Sequence, residues 1–244
     1  MSTEPRSIAV AGLTVEVVRK PIKHLHLAVH PPDGRVRVSA PERLDDDAVR
    51  LAVVSRLSWV RRQREAYQAQ PRQSVRRMLS GESHYVWGRR YRLNVVPRTV
   101  GPNAVEPRLS GDLDLYVRPS ATAPQRAATL AAWYRDEIKA RVPALVERWE
   151  PVVGVSVAEW GVKRMRTKWG TCNVGARRVW LNLELAKKPP ECLEFVVVHE
   201  IVHLLERSHN ARFVALMDDL LPNWRQRQRA LNAAPLAAEE WPLS

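Results

Sequence analysis

The sequence is short of cysteine, of acidic residues and of long apolar runs, and each shortage removes a class of explanation. Cys172 and Cys192 are the two cysteines in 244 residues. That is too few to staple the chain as small secreted scaffolds are stapled, so a reducing compartment is expected. No apolar run approaches the roughly 20 residues that span a bilayer, and Met1-Ser2-Thr3-Glu4-Pro5 does not read as a signal peptide. A cytoplasmic protein without a membrane partner is the expectation. There is no internal repeat, no glycine-rich phosphate loop and no carboxylate cluster of the kind a two-metal site needs.

The acid deficit is large: Lys+Arg 39 against Asp+Glu 26 gives a formal net charge of +13. A field of that sign favours phosphate-bearing or acidic partners through steering and counterion release, so nucleic-acid association is one reading. A genome that prefers arginine codons is the other. The densest basic cluster, Arg61, Arg62 and Arg64 followed by Arg72, Arg76 and Arg77, is either a phosphate-binding surface or a solvated helix face.

What is present is organised around residues 196–209, where H-E-x-x-H lies inside an apolar helical run. His199 and His203 are four residues apart, so a helix projects both imidazoles from one face toward a single ion. The spacing suits zinc, whose catalytic sites take three protein ligands and keep one position open. Glu200 follows the first histidine and is the candidate base for a water at that open position. For the third ligand His209 stands first, with Asp218 or Asp219 as replacements. On one continuous helix His209 would lie roughly 9 Å beyond His203 and on another face. The helix must therefore stop and the chain turn back, with Ser208 expected to cap a second helix. The metzincin pattern has the same histidine spacing but wants glycine where this chain has Glu206, which argues for a different return path.

The residues upstream read as strands and helices in alternation. Ile8 to Arg19 and Ile22 to His30 suggest strands, with His24, His26 and His30 on one face of the second, either a metal cluster or a solvated edge. Pro31-Pro32-Asp33-Gly34 is a turn, and Arg35 to Ser39 returns as a hairpin strand. Leu44 to Gln68 reads as one helix charged at its start by Asp45, Asp46 and Asp47, and Thr122 to Trp149 as another that Pro143 kinks or divides. Strands are expected around Gly88, around Ser110-Gly111, and over Arg178 to Leu185, the last presenting an open edge to an extended peptide. Cys172 is read as a ligand, a nucleophile or a small packing residue. Arg166, Lys168 and Asn182 are candidate oxyanion donors.

Lys168-Trp169-Gly170-Thr171-Cys172, Trp180-Leu181-Asn182-Leu183, the H-E-x-x-H helix and His209-Asn210-Ala211-Arg212-Phe213 together resemble the YgjP-like zinc metallopeptidase family, allied to the SprT and WLM groups. The resemblance extends upstream to Asp33-Gly34-Arg35-Val36, Trp59-Val60 and Gly81-Glu82-Ser83-His84; Asn210 and Val214 stand where the family often has serine and tryptophan. It implies that His199, His203 and His209 are the ligands of one zinc ion per chain, with Glu200 as catalytic base and a peptide or protein as substrate. The fold expected is α+β. A β-rich part with one long helix over residues 1–120 precedes a zincin-like metallopeptidase part over 121–244, with a small antiparallel sheet and the H-E-x-x-H helix. Two other readings stay open: phosphate-ester or nucleotide hydrolysis at the same metal, and a nucleic-acid-associated module with a structural zinc.

Overall fold

A computed structural model describes residues 6–30, 34–69, 77–165 and 168–233, and the chain divides into two compact units, Met1–Pro71 and Arg72–Ser244. The first unit runs β1 (Arg6–Val10), β2 (Leu13–Lys20), β3 (His26–His30), β4 (Arg35–Pro41), α1 (Asp46–Val54) and α2 (Leu57–Ala69). Its sheet has the order β1-β2-β4-β3, with β2 and β4 parallel and the outer pairs antiparallel. The single strand expected from Ile8 is a hairpin, because Ala11 and Gly12 take φ of 48° and 79° and make the tight left-handed turn that matches strand twist. Val15, Val17, Val36 and Val38 alternate inward and join Val49, Val53 and Val60 of the helices in one core. Asp45 caps α1 by accepting from Ala48 N at 2.7 Å. The long helix expected here is two: Ser55 Oγ donates to Ala52 O at 3.0 Å and closes the end of α1. Arg72, Arg76 and the Pro31-Pro32-Asp33 turn lie outside the described residues.

The second unit begins with β5 (Ser83–Val86), β6 (Arg89–Pro97), β7 (Ala104–Pro107) and β8 (Asp112–Val117), in the sheet order β5-β6-β8-β7. Against it packs α3 (Ala123–Val153), which passes unbroken through Pro143 to a left-handed cap at Gly154, φ 76°. Leu113, Leu115, Leu130, Tyr134, Ile138, Leu181, Val197 and Ile201 belong to one core. Residue 120 lies inside this unit, between β8 and α3.

A small sheet follows: β9 (Glu159–Lys163), β10 (Gly170–Asn173) and β11 (Arg178–Asn182), in the order β10-β11-β9. β10 and β11 pair antiparallel, whereas β9 joins β11 in parallel, so the small sheet expected to be antiparallel is mixed. Between β9 and β10 the chain passes from one edge of this sheet to the other. Asn182 fastens that segment, donating to Met165 O at 2.8 Å and Lys168 O at 2.7 Å. The strand expected as far as Leu185 stops at Asn182, whose side chain accepts from Glu184 N at 3.2 Å and starts a 3-10 helix over Leu183–Lys187. The tip of the β5–β6 hairpin anchors that helix, with Trp87 N donating to Ala186 O at 2.8 Å. Three helices complete the unit: α4 (Pro190–Val202), α5 (Ala211–Leu220) and α6 (Trp224–Ala233). The architecture is α+β. None of the described helices is long and apolar enough to cross a membrane.

Candidate active site

Helix α4 is apolar almost all round, and a helix of that kind is stable only when buried. Cys192, Leu193, Phe195, Val196, Val197, Val198, Ile201 and Val202 are all buried. Each large side chain among them contributes about 1.5–3 kcal/mol relative to exposure. Pro190 at the first helical position sets the start. Such a helix is a rigid rod through the core, and the polar side chains on it, His199, Glu200 and His203, inherit its precision.

The helix ends at His203, its C-cap. Leu204 N bonds to Ile201 O, and Leu205 N and Glu206 N both bond to Val202 O, so the chain curls tightly at once. It re-enters helix at Ala211, capped by Asn210, whose side chain accepts from Phe213 N at 3.0 Å. The expected cap, Ser208, is instead part of the turn, and His209 sits immediately before the cap. Glu206 supplies what a glycine turn supplies elsewhere. Its carboxylate accepts from Ser208 N at 3.1 Å, and bonds from Ser208, Asn210 and Arg207, with Arg212 nearby, hold its pKa below the ordinary carboxylate range.

The turn delivers His209 back onto α4. His209 Nε2 lies 3.0 Å from His199 Nε2, and ring centroids are 4.9 Å apart for His199–His203 and 4.7 Å for His203–His209. The ligand atoms of all three histidines fall within 4.8 Å of one another. Beneath them the buried Phe213 ring stands 4.8–4.9 Å from each imidazole. His203 Nδ1 donates to Glu206 O at 3.0 Å, so the Nε2 lone pair is the one left for a ligand. His199 Nδ1 is buried, which leaves Nε2 as the nitrogen facing its partners. Burial and the two neighbouring imidazoles push the His199 pKa down to about 3, and burial lowers that of His209.

Three convergent imidazoles fit a borderline metal ion. Two nitrogen lone pairs at 3.0 Å cannot hydrogen-bond each other without a proton between them. A tetrahedral ion with bonds of 2.0–2.1 Å sets its ligand atoms about 3.3 Å apart, close to that spacing. The replacement ligands are occupied elsewhere or absent from the cluster: Asp218 accepts from Trp224 Nε1 at 2.8 Å and pairs with Arg225, and Asp219 is not among the grouped residues. A family model described as YgjP-like, metallopeptidase domain, matches residues 23–234. The chain belongs to the YgjP-like metallopeptidase family. A search of curated proteins finds no match.

In this YgjP-like metallopeptidase a cleft of about 1080 Å³ opens over the histidines, lined also by Glu200, Lys168, Cys172 and Arg207. Glu200 is 5 % exposed. Burial raises its pKa to about 8 against the pull of Lys168. Room for its carboxyl comes from Gly170: a Cβ there would lie 2.5 Å from Glu200 Oε1 and 2.7 Å from its Cγ. Cys172, two residues on and on the same strand face, stands outside the group of three histidines. Its thiol is pushed up to about 11 by burial and by Glu200.

β11 is the central strand of its sheet, so the edge expected there is not on β11; of the two edge strands, β10 lines the cleft. Asn182 N donates to Trp169 O at 2.9 Å. By the alternation of an antiparallel pair, Gly170 and Cys172 then turn their N–H and C=O groups away from β11. Of the oxyanion candidates, Asn182 has all its polar atoms engaged, its Oδ1 also accepting from Met165 N at 3.3 Å. Lys168 lines the cleft, and Arg166 lies outside the described residues. Gly170, Phe213 and Glu206 escaped the sequence reading as parts of the site. The glycine in Trp169-Gly170-Thr171 and the unusual residue in the turn were visible, but the role of Gly170 depends on a contact with α4 and that of Glu206 on how the turn folds.

Proposed function

We propose that this YgjP-like metallopeptidase is a zinc enzyme that hydrolyses peptide bonds, with His199, His203 and His209 as ligands and Glu200 as general base. One observation carries the reading: three convergent imidazoles and a buried carboxyl share one cleft. When bound, zinc supplies a Lewis acid that polarises the scissile carbonyl and acidifies water, and its charge favours the carboxylate form of Glu200. Glu200 takes a proton from the attacking water and hands it to the leaving amine. Gly170 keeps that carboxyl in a fixed slot, and Lys168 adds positive charge beside it. The substrate is a peptide or unfolded protein in extended form, laid along β10 so that the N–H and C=O groups of Gly170 and Cys172 that face away from β11 pair with it. Such pairing fixes the backbone and leaves side-chain selection to the cleft.

The test is removal and return of the metal. Purified protein treated with a chelator should lose cleavage of an unfolded protein, and added zinc should restore it. The same preparations offered nucleoside triphosphates test the phosphate-ester reading. Zinc-dependent triphosphate hydrolysis without peptide cleavage would replace the proposal.

A further inference from the structure

We infer that Glu206 is a positioning residue that holds two of the three proposed metal ligands in place, an inference that rests on the reading of the site given above. Its backbone carbonyl accepts from His203 Nδ1 at 3.0 Å. A carbonyl can only accept, so this bond fixes the proton on Nδ1 and aims Nε2 at the cluster. Its carboxylate takes a different task. It accepts from Ser208 N at 3.1 Å, immediately before His209, and the Asn210 side chain, immediately after it, helps to hold the carboxylate ionised. The chain leading into His209 is therefore tied down by this side chain, and the same residue orients His203 through its main chain.

The turn has little else to rely on. Between His203 and the cap of α5 the chain makes short backbone bonds to Ile201 and Val202 and one from Asn210 N to Ser208 O at 2.8 Å. None of these reaches the His209 ring. Asn210 spends its Oδ1 on Phe213 N, so its amide is the group free to reach Glu206. A glycine at this position keeps the carbonyl and loses the carboxylate. The Glu206 side chain is 17 % exposed, with Arg212 3.9 Å away on its outer side, so it is seated in the turn and not in the cleft.

The experiment compares wild type, Glu206→Ala and Glu206→Gln as full chains, titrating zinc against a chromogenic chelator and recording the visible spectrum of the cobalt-substituted forms. Glu206→Ala should bind zinc about 10- to 100-fold more weakly, as loss of an outer partner of a ligand does. Its cobalt bands should change in intensity, while the melting temperature of the metal-free chain stays at the wild-type value. Glu206→Gln keeps one acceptor oxygen and should fall between the two. Should Glu206→Ala fail to fold, the Gln variant carries the same comparison with a smaller loss. Wild-type zinc affinity and cobalt spectrum in the variants overturn the inference and leave the site reading standing. A loss of affinity matched by an equal loss of metal-free stability also overturns it. No zinc bound by the wild type overturns both.

Discussion

His24, His26 and His30 offer the same donor atoms as His199, His203 and His209, and in both sets two members stand four residues apart. The backbone beneath them makes the difference. On a strand each residue advances about 3.3 Å, so His26 and His30 on β3 are separated by about 13 Å. On a helix four residues advance about 6 Å and return to the same face. His24 and His26 are exposed, and His26 and His30 face Ser39 and Arg35 across the sheet. The α4 set has a phenylalanine floor, a carbonyl that fixes one tautomer, and a carboxyl in the same cleft. Ligand spacing becomes a site only where the scaffold converts it into convergence.

The sharpest way to break this contrast is to delete one histidine from each set. His209→Ala should lose zinc affinity by about 100-fold or more, since a site worth roughly 10–16 kcal/mol divides among few ligands. His26→Ala should leave zinc content at the wild-type value. Equal losses in the two variants, measured by metal analysis after dialysis, would erase the distinction.

The second difference is the carboxyl beside the α4 set, and Gly170→Ala attacks its slot without touching a ligand. A methyl group 2.5 Å from Glu200 Oε1 must move that side chain. Peptide cleavage should fall about 100-fold, the cost of an ångström-scale misplacement, and stability by about 1–3 kcal/mol, with zinc content kept. Unchanged turnover would show that Glu200 tolerates displacement.

The smallest effect tests burial, through the metal-free protein. His199 sits near 3 instead of its ordinary 6.5, so the unfolded chain binds a proton that the folded site refuses, and stability is lost as pH falls from 6.5 toward 3. Glu200 sits near 8 instead of 4.5, so the unfolded chain gives up a proton that the folded site keeps, and stability is lost as pH rises from 4.5 toward 8. The slopes oppose between 4.5 and 6.5, where urea midpoints should be highest. Midpoints that climb steadily through pH 8 would contradict the burial of Glu200.

Much of the site was legible because it is local. H-E-x-x-H within an apolar run dictates a buried helix with both imidazoles on one face, and the return of the chain at His209 follows once that residue is taken as the third ligand. The α+β class followed from strand alternation early and helical periodicity late. What stayed hidden depends on long-range contacts. Nothing adjacent to Gly170 in sequence says that Glu200 will lie against it. The parallel β9–β11 pair and the grip of Asn182 on Met165 and Lys168 join residues distant in sequence, while the break after α1 is local, where Ser55 Oγ donates to Ala52 O.

The measurement closest to the central claim is zinc content and unfolded-protein cleavage for Glu200→Gln beside the wild type. The account predicts wild-type zinc with cleavage reduced by about 10²- to 10⁴-fold, the contribution of a general base. Wild-type cleavage by a fully zinc-loaded Glu200→Gln protein would contradict it.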